Sequence, residues 1–130
     1  GDLLVLDDVP ESYQVLTRKV MAMTKWVADN IDPDFMFKTD DDSYVDLHTL
    51  VATFLQVESP DLPLYFGEFT TKNLKLTTSF DAAPMGRWYT KPEHFPIDMQ
   101  RYAIGAGYAL SRPLVKHVSR MAKGSEFQIP

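Results

Sequence analysis

The stretch FMFKTDDDSYVD, Phe35 to Asp46, sets the reading of the whole chain. It opens apolar, as a buried strand does, and then places Asp40, Asp41, Asp42 and Asp46 within a few residues of one another. An acidic cluster usually reads as a solvated turn. Here it stands between a strand and a helix. Asp46 occupies the N-cap position before Leu47, Leu50, Val51, Phe54 and Leu55, whose i, i+3, i+4, i+7, i+8 spacing predicts an amphipathic helix. In layered α/β sheets, ligands gather at the carboxyl ends of strands. If the strand conformation continues, Asp40 and Asp42 point to one side and Asp41 to the other, the first two roughly 6–7 Å apart by strand rise. Two such carboxylates can share a hard divalent cation with a bound phosphate. A helix–loop–helix calcium site is excluded, because the sixth position counted from Asp40 is Val45 and not Gly. Paired acids doing hydrolytic acid/base work remain an alternative.

Upstream, DLLVLD (Asp2–Asp7) has the continuous apolar pattern of a strand buried on both faces. Leu16, Val20, Met23 and Val27 then form a helical stripe that should end near Asn30, before Pro33. Downstream, LYFGEF (Leu64–Phe69) predicts a third strand with Gly67 inside it. Thr70 to Gln100 holds no sustained period and contains Pro84, Gly86, Pro92 and Pro96, the marks of a long functional loop. YAIGAGYALS is strand-like. Ser111 is the expected cap of a last helix with Pro113 in its first turn, the stripe Leu114, Val118 and Met121, and Gly124 as its stop. This alternation predicts an α/β layered sheet, largely parallel in its first half.

A chain of 130 residues is one small domain or a piece of a larger one, and it reads as excised from a longer protein. The net charge of −5 and the absence of any long basic run exclude a nucleic-acid partner. No stretch approaches a membrane span. With no cysteine there is neither a disulfide framework nor a thiolate metal site.

Several blocks, in order, resemble glycosyltransferase family 31, the inverting β-1,3-glycosyltransferases that include the fringe enzymes. FKTDDDSYV resembles the D-x-D region. ESYQVLTRK (Glu11–Lys19) resembles the D-x-Y-x-N-L-T-x-K block, with Val15 where the family has Asn. YFGEF resembles the Y-x-G strand, GRWY the K-W-Y segment, and YAIGAGYALS the G-x-G-Y-x-L-S segment. Within the family, GDLLVL and Ser43 look most like the galactosyltransferases that build the linkage region of proteoglycans.

The resemblance implies a GT-A-like mixed sheet with helices on both faces, truncated at the C-terminus, and one catalytic domain of which residues 1–130 are the donor- and metal-binding portion. It implies a UDP-galactose donor, Mn2+, a glycan or glycoprotein acceptor, and a Golgi lumenal domain whose membrane anchor lies outside this stretch. By the same resemblance Asp42 is a direct metal ligand, Asp40 is its partner on the donor side, and Asp41 and Lys38 belong to the donor site. The general base is expected in an E-D-V motif beyond Pro130, leaving no catalytic base within the chain. Trp88, Tyr89, Glu68, Gly105 and Gly107 are candidate acceptor contacts: aromatic faces suit a sugar ring, and glycines in a strand permit close approach or mark a bulge. His48, His94 and His117 are isolated in sequence and read as structural. Transfer of N-acetylglucosamine by the same blocks, and a noncatalytic glycan-binding relative, are the alternatives.

Overall fold

The computed structural model describes residues 3–5, 16–69 and 102–124. Its elements run α1 (Leu16–Asn30), β1 (Phe35–Thr39), α2 (Leu47–Leu55), β2 (Tyr65–Phe69), β3 (Ala103–Ser111) and α3 (Arg112–Gly124). The three strands form one sheet in the order β1-β3-β2. The α/β expectation holds, with one correction to the strand arrangement. β1 and β2 run in the same direction, as strand–helix–strand alternation suggests, but β3 lies between them and is antiparallel to both. Alternation specifies direction; it does not say which later strand will insert.

The apolar run at the N-terminus is a second correction. Leu3, Leu4 and Val5 lie outside the sheet and are exposed. A short apolar run shows that a segment can be buried, and periodicity alone does not supply its neighbour.

The register places Phe35, Phe37, Ala109, Ser111 and Phe66 on one face, and Met36, Lys38, Tyr108 and Tyr65 on the other. On the first face the Phe54 ring of α2 stacks on Phe35 with centroids 4.5 Å apart, and it lies 6.1 Å from Phe66. Asp46 caps α2 as the sequence predicts. Its carboxylate accepts from the His48 and Thr49 amides and from the Thr49 hydroxyl, which holds its pKa below the ordinary aspartate value, the Thr49 bonds foremost. Leu50 is half-buried, but Leu47, Val51 and Leu55 of the same stripe are exposed and not covered as expected. The 3.6-residue period shows an amphipathic helix and is silent on what meets its apolar side.

α1 and α3 pack on one another. Their buried residues are Thr24 on the first and Val115 and Ser119 on the second, so the buried line of α3 lies one position beyond the predicted Leu114–Val118–Met121 stripe. Thr24 satisfies its buried hydroxyl by donating to the Val20 carbonyl at 2.7 Å.

β3 runs directly into α3, and their junction ties the sheet together. The Ser111 hydroxyl does not cap α3. It donates to the Leu62 carbonyl at 2.6 Å and accepts from the Leu64 amide at 2.8 Å, holding the entry to β2. Arg112 pairs with Asp34 ahead of β1, and with Asp61 at 3.1 Å. Lys116 reaches Asp32 at 2.8 Å and lowers its pKa.

Gly67 stands where β2 lies tight against β3. A Cβ there would meet the Ala103 Cβ at 2.8 Å, the Gly107 carbonyl oxygen at 3.2 Å and the Tyr108 Cβ at 3.2 Å. None of these is the free end of a flexible side chain, so the strands must part. Gly67→Ala is expected to destabilise the fold by about 1–3 kcal/mol, the usual cost of overpacking. A urea titration checks this, with Glu68→Ala, at the exposed neighbouring position, expected to leave the midpoint in place.

Candidate functional site

β1 delivers its last residue, Thr39, to the end of the sheet opposite the β3–α3 junction. The chain then turns at once. The Ser43 amide donates to the Asp40 carbonyl at 3.2 Å, closing a tight turn over Asp41 and Asp42. The triplet therefore does not continue the strand, and the expected two-sided alternation of its carboxylates is replaced by a turn. Aspartates favour that outcome, because their side chains compete with the ladder for local bonds.

The turn is held from across the sheet. β3 bulges here: Gly67 faces Tyr108 and Phe69 faces Ala103, so Ile104, Gly105, Ala106 and Gly107 stand opposite Glu68 alone. Two consecutive side chains of β1 take up carbonyls of that bulge. The Lys38 ammonium donates to the Gly105 carbonyl at 2.8 Å, and the Thr39 hydroxyl donates to the Ala106 carbonyl at 2.8 Å. The same ammonium pairs with Asp40 Oδ1. The Lys38 side chain is only 11% exposed, so this pair is better shielded from water than a surface salt bridge. The ammonium lies 6.0 Å from the centre of the Tyr108 ring, at the outer reach of a cation–π contact. Burial, then Tyr65 and Asp40, raise the Tyr108 hydroxyl above its ordinary pKa.

Lys38, Asp40 and Gly105 are thus brought together, while Asp41 and Asp42 stand exposed on the turn. Gly105 faces Asp40: a Cβ there would lie 3.6 Å from Asp40 Oδ2. Gly107 lies against Phe37, whose Cζ would be 3.0 Å from an added Cβ. Glu68 is exposed on β2 opposite the bulge. His48 and His117 are exposed on helices. Trp88, Tyr89, His94 and the loop from Thr70 to Gln100 lie outside the described residues.

The oxygen-only donors of the turn suit a hard cation. Among the described residues no three His, Cys, Asp or Glu form a group that could hold a metal ion by themselves. Sequence reasoning missed Thr39 and Tyr108. No local signal marks them, since the Thr39 partner is 67 positions away.

If Lys38 and Thr39 hold the turn, Lys38→Met with Thr39→Val frees it without touching the carboxylates. Amide exchange at Ser43, whose N–H closes the turn, is then expected to rise roughly tenfold or more, the equivalent of one charge-assisted hydrogen bond. Phe35–Phe37, paired along the ladder, should keep their protection.

Compared with known proteins, the chain matches the family model described as Galactosyltransferase over residues 1–129. It is 34% identical over 125 residues to mouse beta-1,3-galactosyltransferase 6, covering 95% of this chain and 36% of that protein. It is 29% identical over 125 residues to mouse acetylgalactosaminyl-O-glycosyl-glycoprotein beta-1,3-N-acetylglucosaminyltransferase, covering 94% of this chain and 30% of the relative. Human UDP-GalNAc:beta-1,3-N-acetylgalactosaminyltransferase 2 is 26% identical over 119 residues, or 88% of this chain and 21% of its own length. The chain therefore spans about a third or less of each of these relatives. No solved structure gives a significant match. Among the described residues no helix is long and apolar enough to cross a membrane.

Proposed function

This chain belongs to the galactosyltransferase family, and from that membership we propose that it is the donor- and metal-binding portion of an inverting, metal-dependent β-1,3-galactosyltransferase. The reaction is transfer of galactose from UDP-galactose to a hydroxyl of a glycan or glycoprotein. The observation that carries this reading is the exposed carboxylate turn at the end of β1, anchored through Lys38 and Thr39 to the glycine bulge of β3.

In this reading Asp42, with Asp40, holds Mn2+, and Asp41 and Lys38 complete the donor side. The cation supplies Lewis-acid stabilisation of the charge that develops on the departing diphosphate. Lys38 ties one oxygen of Asp40 and fixes the direction of the other. Proton removal from the acceptor hydroxyl falls to a carboxylate in the segment after Pro130, positioned on the face opposite the leaving group. The parent protein is placed in the Golgi lumen, carried there by a single amino-terminal anchor. Its acceptor is placed in the linkage region of proteoglycans.

Transfer of N-acetylglucosamine is the second reading, favoured by the similarity to an N-acetylglucosaminyltransferase. The test is donor hydrolysis and transfer by the full-length protein with UDP-galactose, UDP-N-acetylglucosamine and UDP-N-acetylgalactosamine, each with and without manganese. Turnover with UDP-galactose that requires manganese supports the proposal. Preference for another donor replaces the sugar, and binding of glycans with no turnover of any donor replaces the enzyme with a noncatalytic relative.

A further inference from the structure

The Phe37 face of the sheet, opposite the one that carries Lys38, holds an open groove of about 580 Å³ between residues 43–46, α2 and the β3 segment at Ala106 and Gly107. Its size falls within the range of small-ligand sites. The lining combines two chemistries. Phe37 and Leu50 are apolar, while Ser43, Thr49 and Thr53 carry hydroxyls. The Thr49 hydroxyl donates to Asp46 Oδ2 at 2.8 Å and the Thr53 hydroxyl donates to the Thr49 carbonyl at 2.8 Å. With their protons committed, both oxygens are left as acceptors for a ligand's hydroxyl groups.

Tyr44, another lining residue, is 94% exposed. Its ring therefore offers an accessible face with a polar tip at the edge of the groove. Gly107 keeps the floor open, since an added Cβ would meet Phe37 at 3.0 Å. Neither Lys nor Arg is among the described residues of the lining, and its one carboxylate, Asp46, is committed to capping α2. A diphosphate would find no counter-charge here. A neutral ring with an apolar C–H face and several hydroxyls finds both of its complements.

We propose that this groove is a sugar subsite, which takes a hexopyranose with Tyr44 as its stacking face and the Thr49 and Thr53 oxygens as acceptors. Calling that sugar part of the acceptor glycan rests on the transferase reading above; the subsite itself does not. Saturation-transfer NMR on the full-length protein tests it, with methyl β-galactopyranoside as probe and manganese–UDP binding measured in parallel. Saturation should reach the ring protons of the glycoside, fall about fivefold or more in Tyr44→Ala, and survive in Tyr44→Phe, which keeps the ring. Because Tyr44 is almost wholly exposed, its truncation leaves the fold intact, and manganese–UDP affinity should not move. The proposal is overturned if the wild-type protein transfers no saturation, if Tyr44→Ala matches it, or if UDP displaces the glycoside competitively. Glycoside binding that depends on Tyr44 in a protein with no UDP affinity would uphold the subsite and end the transferase reading.

Discussion

Asp42→Asn in the full-length protein is expected to lower the manganese-dependent affinity for UDP by about 100-fold or more, with no change in thermal stability. Asparagine keeps the shape of the side chain and removes the charge that a hard cation seeks. Altering a partner one shell out from a metal typically costs ~10–100-fold in affinity, so loss of a direct oxygen ligand belongs at or beyond the upper end of that range. Stability is expected to hold because Asp42 is exposed on the turn. Calorimetric titration of UDP with and without manganese reads the effect directly. If the mutant keeps the wild-type manganese dependence, Asp42 is not a ligand and the assignment moves to Asp41.

Ser111→Ala should be among the most destabilising single-atom deletions in the described residues. The side chain is fully buried, and its hydroxyl serves the Leu62 carbonyl and the Leu64 amide together. Removing it leaves the part-buried bonds of the Leu64 amide and the Leu62 carbonyl with no replacement within the residue. A buried polar group deprived of its partner costs about 1–3 kcal/mol. The Ser111 amide still donates to the Leu64 carbonyl, so β2 should stay attached to β3 while its entry loosens. The expected signature is a lower urea midpoint at unchanged slope. An unmoved midpoint would mean that water or a rearranged Leu62–Leu64 segment takes over both bonds.

What could be read from the sequence was local. The strand FMFK, the turn of aspartates and the Asp46 cap follow one another within a dozen positions, and each has its own chemical mark. The strands at Gly67 and around Gly105 were equally legible as apolar runs, and the family blocks pointed to the same elements. Pairing was not legible, because nothing within FMFK or YFGEF states that β3 will separate them. Ser111 shows the limit sharply. A serine just ahead of a helix is the usual mark of a cap, but its hydroxyl serves a strand entry 47 and 49 positions away. Lys38 read equally well as a plain lysine at a strand end. Its role in the site depends on a carbonyl 67 positions later, where the glycine bulge turns that oxygen toward the ammonium. Tyr44 gave no sign at all, since its place in the sequence does not reveal which aromatic ring will remain in water.

The central place of β3 also imposes a schedule on synthesis. A ribosome that has released residues up to Phe69 has delivered both outer strands and the whole aspartate turn, yet every described strand pair still waits for Ala103–Ser111. Contacts between distant segments form only after loop closure has been met, which slows them. Through that interval FMF and YFGEF emerge as unpaired apolar segments, the kind of surface that chaperones of the compartment bind first. The carbonyls of Gly105 and Ala106 that anchor the turn are among the last of these parts to arrive, so the aspartate turn is held in place only once the strand between the outer two has been made.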